Sequence, residues 1–221
     1  MSLVVLGTGT EVGKTVVSAL IMARYGQQCR LGYWKPIASG ASEGRDTKSV
    51  ARWVGHLGEV HDELYLFDAP LSPHLAARLE RRVIDPIAVK RTLASLQRAD
   101  SRRHLIIEGI GGVLVPITDE GLLLIDLVAR FRLPCVVVAP STLGTINHSL
   151  LTLEALRGRR IRIIGMVFSG PRNAENRKAI ERFGGVATVG EVDIVQPLTR
   201  AGFTAAAKCF DRSAILEGHL L

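Results

Sequence analysis

Residues 7–15 read Gly7-Thr8-Gly9-Thr10-Glu11-Val12-Gly13-Lys14-Thr15, directly after the apolar run 3–6 and before a stretch in which Val16, Leu20 and Ala23 share one helical face. Glycines let the backbone turn and aim its N–H groups inward, and the start of a helix adds positive partial charge. In such a loop Lys14 would reach the β- and γ-phosphates of a nucleoside triphosphate, and Thr15 would place its hydroxyl on Mg2+. The spacing departs from strict G-x-x-x-x-G-K-[ST], because Thr8 occupies the first glycine position and Gly7 lies one residue earlier. The plain alternative is a glycine-rich turn with an incidental Gly-Lys-Thr. An apolar strand before it and an amphipathic helix after it favour the phosphate loop.

Outward from this loop, further short apolar runs at 32–35, 105–108, 135–139, 161–168 and 186–189 alternate with helical patterns. Leu123, Leu127 and Val128 fall on one helical face, and residues 146–156 repeat the period. Runs without alternation, such as Val136-Val137-Val138, suit strands covered on both faces. The expected fold class is therefore α/β, a doubly wound and mostly parallel sheet with helices on both faces. Residues 68–100, punctuated by Pro70, Pro73 and Pro86, hold no convincing strand and read as two helices inserted before the third. No repeat or linker divides the chain, so one domain over residues 1–221 is expected.

The composition, 47% hydrophobic and 22% charged, is that of a globular chain and argues against wholesale disorder. A net charge of +7 permits attraction to anions without choosing among them. Aromatics are only 5% and do not interleave with the basic run at 157–162, so a nucleic-acid partner is not expected. That run reads as a solvated helix end. Cys29, Cys135 and Cys209 lie far apart with no C-x-x-C pair, which argues against a disulfide framework or zinc site. No apolar run approaches the roughly 20 residues of a membrane span. A soluble, cytoplasmic protein with no membrane partner is the expectation.

Polar groups cluster at the predicted strand ends, where open parallel sheets bind their ligands. Lys35 closes the second strand and should face the same crevice as Lys14; the alternative is a surface lysine. Glu108 closes the third and is followed by Gly109-Ile110-Gly111-Gly112. A carboxylate there usually serves Mg2+. Asp46 is read either as a metal ligand or as the N-cap of a helix starting near Thr47. After the fourth strand, Ser141-Thr142-Leu143-Gly144-Thr145-Ile146-Asn147-His148 could hold an anion at a helix N-terminus, or Asn147 and His148 could be capping residues.

In order and spacing, residues 7–15, Lys35-Pro36-Ile37-Ala38-Ser39-Gly40, Ser72-Pro73-His74-Leu75-Ala76-Ala77, Glu108-Gly109-Ile110-Gly111-Gly112 and Leu143-Gly144-Thr145-Ile146-Asn147-His148 together resemble the dethiobiotin synthase family. The matches run from residue 3 to about 168. The resemblance implies an ATP-dependent ring closure in biotin synthesis, with 7,8-diaminopelargonic acid, CO2 and ATP as substrates and Mg2+ as cofactor. It implies catalytic roles for Lys14, Lys35 and Thr10, and nucleotide contacts from Gly9, Thr10, Glu11, Val12, Gly13, Lys14, Thr15, Val16 and Ser169. It assigns Mg2+ to Thr15, Asp46 and Glu108, and substrate to Thr10, Lys35, Ser39, Gly111, Gly144, Thr145 and Asn147. It also implies a homodimer in which residues 144–147 of one subunit bind the carboxylate tail of substrate held by the other.

The sequence departs from the family pattern at Gly9, Ile110, Thr142 and Ser169. At Ser169 many members carry an asparagine that reads the adenine edge, so one hydroxyl replaces a paired donor and acceptor and leaves GTP and CTP as alternative nucleotides. Two other readings share the sheet and loop type. A ParA/MinD-like ATPase switch would carry a lysine where Gly9 stands and has no chemical need of Lys35-Pro36. A cobyrinate-amidase-like domain would require a glutaminase partner domain.

Overall fold

The computed structural model describes residues 2–193, 195 and 198–221. Its main sheet has seven strands, β1 (Leu3–Gly7), β2 (Leu31–Trp34), β4 (Glu59–His61), β6 (His104–Glu108), β7 (Cys135–Pro140), β8 (Ile163–Ser169) and β9 (Thr188–Val192), in the order β4-β2-β6-β1-β7-β8-β9. Every pairing in it is parallel. Two short strands, β3 (Ile37–Ala38) and β5 (Tyr65–Leu66), form a separate parallel pair.

The period of two along each strand sorts the core into two layers. Leu3, Val5, Val136 and Val138 point to one face, where α1 (Lys14–Tyr25), α2 (Asp46–Val54) and α8 (Arg200–Ala207) pack. Trp53 of α2 stacks on Phe203 of α8 with ring centroids 4.7 Å apart. Val4, Leu6, Val137 and Ala139 point to the other face. It is covered by α3 (Pro73–Leu79), α4 (Pro86–Ala99), α5 (Leu124–Phe131), α6 (Thr145–Gly158) and α7 (Ala174–Gly184). A short α9 (Glu217–Leu220) ends the chain.

The doubly wound expectation holds, and the stretch 68–100 does contain two helices, α3 and α4. Asp85 caps α4 by accepting the Ile87 N–H at 2.7 Å, with Pro86 at the first helical position. Three strands escaped the sequence reading because they are too short, and β4 (Glu59-Val60-His61) too polar, to make an apolar run. The second strand ends at Trp34 rather than Lys35, since Pro36 has no N–H to continue the ladder. The fifth starts two residues later than expected and the sixth is displaced towards Val192. Among the described residues, no helix is long and apolar enough to cross a membrane.

Candidate active site

The order of strands around β1 decides where the polar groups meet. The chain leaves β1 to one side for β2 and returns through β6, then crosses to β7 on the other, so β1 lies at a switch point of the sheet. Val5 pairs with Glu108, and Trp34 pairs with Ile107. The loop after β1, Lys35 after β2 and Glu108 at the end of β6 therefore emerge side by side.

The loop enters α1 through Gly13 at φ 92, a left-handed conformation that a side chain resists. A Cβ there would also lie 2.6 Å from the Ser169 hydroxyl. Lys14 curls back over the loop and donates to the Gly9 carbonyl at 2.7 Å and the Gly111 carbonyl at 3.0 Å. Burial pushes its ammonium down to about 8, with Glu108 the main opposing charge.

Glu108 is the hub. Its Oε1 accepts from Thr15 at 2.9 Å and from Lys35 at 3.0 Å, and its Oε2 from Tyr33 at 2.9 Å and Ser18 at 3.2 Å. Lys35 also pairs with Asp46, whose other oxygen accepts from Thr15 at 3.0 Å. Burial works against the Lys35 charge, but Glu108 and Asp46 outweigh it and hold the pKa above the ordinary lysine value. Burial, then the Glu108 charge, puts the Tyr33 phenol far above its usual range, so it stays a donor.

Lys14, Thr15, Lys35, Asp46 and Glu108 wall a cavity of about 600 Å3. Thr10, Glu11, Gly13, Lys14, Thr15 and Val16 line its loop side, and Lys35, Ser39, Asp46, Glu108 and Gly111 are among the residues lining the rest. Gly9 and Val12 of the loop do not line it: the Gly9 carbonyl accepts from Lys14, and Val12 packs in the core. Asp46 is the first residue of α2 with Arg45 at the cap position, so the N-cap alternative gives way to a side chain turned to Thr15 and Lys35. Gly144 occupies the cap position of α6, so Asn147 and His148 are not caps. Gly144, Thr145 and Asn147 lie outside this cavity; Thr145 is buried with its Oγ1 unpartnered, and Asn147 is exposed.

Sequence reasoning missed Tyr33 and Ser18, and the signals were present: Tyr33 lies two residues before Lys35, and Ser18 one helical turn after Thr15. Arg45 and Leu71 also line the cavity, from loops without a periodic signature. Ser72 and Pro73 line it too, although their stretch was noted only as a family resemblance.

Among the described residues no group of three or more His, Cys, Asp and Glu side chains is placed to hold a metal. The available donors are the Thr15 hydroxyl and two carboxylates, all hard oxygens. That set fits Mg2+, which binds through one or two carboxylates together with waters and substrate phosphates.

A family profile described as an AAA domain matches residues 1–201. The ATP-dependent dethiobiotin synthetase BioD of Paramagnetospirillum magneticum is 48% identical over 197 residues, covering 89% of this chain and 90% of that protein. The chain belongs to the dethiobiotin synthetase family. A second relative, the BioD of Afipia carboxidovorans, is 42% identical and covers 92% of each chain. The cell-division ATPase MinD of Pyrococcus furiosus superposes with a TM-score of 0.60 over 100% of this chain and 99% of that one at 14% identity. That likeness shows the P-loop fold alone.

Proposed function

We propose that this chain is an ATP-dependent ligase that closes the urea ring of dethiobiotin from 7,8-diaminopelargonic acid and CO2. CO2 adds to one amine to give a carbamate. A carbamate oxygen attacks the γ-phosphorus of ATP, ADP leaves, and a carbamic–phosphoric anhydride forms. The second amine then attacks the carbonyl carbon, the C–O bond to phosphate breaks, and the cyclic urea and phosphate are released. The carbamate is already an anion, so the first attack needs no dedicated base.

The observation that carries this reading is the convergence of Lys14, Thr15, Lys35, Asp46 and Glu108 on one cavity wall. Lys14 would hold the γ-phosphoryl group, and Lys35, kept charged by its two carboxylates, would stabilise the carbamate and the charge in transit. Thr10, Ser39 and Gly111 would contact the carbamate and amines. Thr15, Asp46 and Glu108 would hold Mg2+, which when bound supplies positive charge to the phosphate oxygens. Ser169, beside Gly13, would contact the nucleotide, and its single hydroxyl supports a relaxed choice of base.

A homodimer is part of the proposal. Residues 144–147 stand away from their own cavity while Leu143 and Leu151 are exposed beside them. Both facts support these residues serving the cavity of a second copy. A cytoplasmic location accords with three free cysteines.

The test is phosphate release from ATP with Mg2+ and bicarbonate, with and without the diamine, with the organic product weighed by mass spectrometry. Diamine-dependent release with an equal amount of cyclic urea is expected. Hydrolysis indifferent to the diamine, with no urea, would sink the proposal.

A further inference from the structure

The two carboxylates assigned to Mg2+ are anchored unequally. Glu108 ends a central strand, its side chain is 0% exposed, and four side chains donate to it. Asp46 is 37% exposed and opens α2 directly after a loop carrying Gly40 and Gly44 at φ 81 and 135. The N-terminus of α2 has no side-chain cap. Thr15 and Lys35 reach Asp46 from across the site, but neither holds the backbone from which it projects.

Glu63, between β4 and β5, holds the side chains of the residues on either side of Asp46. Its side chain is 0% exposed. One carboxylate oxygen accepts from the Thr47 hydroxyl at 2.6 Å, and the other from the Arg45 guanidinium, which also reaches Asp62 at 3.0 Å. A single buried carboxylate thus grips the residues on both sides of Asp46. Burial pushes the Glu63 carboxyl up, but the Arg45 and Thr47 hydrogen bonds outweigh it and hold it below the ordinary glutamate value. Burying such an ion pair is a poor source of stability in itself, because desolvation offsets the attraction.

We infer that Glu63 is a positioning residue: through Arg45 and Thr47 it fixes the first turn of α2 so that Asp46 presents its carboxylate to the metal and to Lys35. The inference rests on the assignment of Asp46 to Mg2+ made above. Outer partners of metal ligands typically change metal affinity by about 10–100-fold, and here that effect would pass through the backbone at Asp46.

The experiment is calorimetric titration of Mg2+ into the full chain with a non-hydrolysable ATP analogue, with thermal unfolding run on every variant. Glu63→Gln and Thr47→Val should each weaken Mg2+ binding by about tenfold or more. Thr47→Ser, which keeps the hydroxyl, should bind as the wild type does, and analogue binding without Mg2+ should not move. In turnover, the apparent KM for Mg2+ should rise more than kcat falls. Folded Glu63→Gln and Thr47→Val proteins that bind Mg2+ normally would overturn the inference, as would equal loss in Thr47→Ser. Should Glu63→Gln fail to fold, the Thr47 pair decides. A wild type that binds no Mg2+ removes the metal assignment and the clamp with it, whereas normal wild-type binding with unaffected variants removes the clamp alone.

Discussion

Lys35 shows how one side chain acquires its properties from its surroundings. It is 8% exposed at the side chain yet held charged, because Glu108 and Asp46 face it on two sides. Lys35→Ala removes the cation and leaves two carboxylates facing each other. We expect diamine-dependent phosphate release to fall by about 10²–10³-fold, the usual cost of losing one preorganised stabiliser of transition-state charge. A loss under tenfold in steady-state kinetics would remove Lys35 from the catalytic set. Gly13 is a backbone requirement of a different kind. Gly13→Ala should abolish binding of an ATP analogue in equilibrium dialysis, because φ 92 resists a side chain and the added Cβ would lie 2.6 Å from the Ser169 hydroxyl. Unchanged binding by Gly13→Ala would show that the loop tolerates a side chain there.

Among elements, β7 and the C-terminal segment offer two contrasting tests. Cys135 is buried in β7, where burial pushes its thiol up to about 12, while Cys209 is exposed. The thiolate is the reactive form, so at pH 8 alkylation monitored by mass should label Cys209 quickly and Cys135 only after urea unfolding. Early labelling of Cys135 would mean that β7 opens within the folded state. The C-terminal segment is tied to α1 by Tyr25, whose hydroxyl donates to buried Asp211. That carboxylate also accepts from the N–H groups of Ile215 at 2.9 Å and Leu216 at 2.8 Å. Tyr25→Phe leaves a buried acceptor short of a donor and should cost about 1–3 kcal/mol in urea denaturation. The same elements show where sequence pattern runs out. Long apolar runs such as 135–139 announced their strands, and the glycine-flanked loop announced the start of α1. The pair β3 and β5 is two residues long in each strand and is held by partners distant in sequence, so no local period marks it.

For the whole molecule, the decisive question is whether two copies share a site. A Lys14→Ala chain would lack the phosphoryl contact, and an Asn147→Ala chain would lack part of the loop proposed to hold the substrate tail. Mixed after unfolding and refolding together, the two should recover activity that neither has alone, because one of the two sites in a mixed dimer is intact. No recovery, with mixed dimers verified by native mass spectrometry, would place residues 144–147 at their own chain's cavity or outside the reaction.

The sequence by itself determined the sheet class, the phosphate loop and the placing of Lys35 and Glu108 at strand ends, because period, glycine spacing and position after a strand are local signals; for Asp46 it left metal ligand and helix cap both open. The tertiary structure decided which of these touch. Parallel register brings Glu108 opposite Val5 and places Lys35 beside it, so that one carboxylate meets Thr15, Ser18, Tyr33 and Lys35 at once. It also decided the grip of Glu63 on Arg45 and Thr47, across a separation of 16 to 18 residues. Such contacts depend on how separate elements pack, and short-range periodicity carries no record of that.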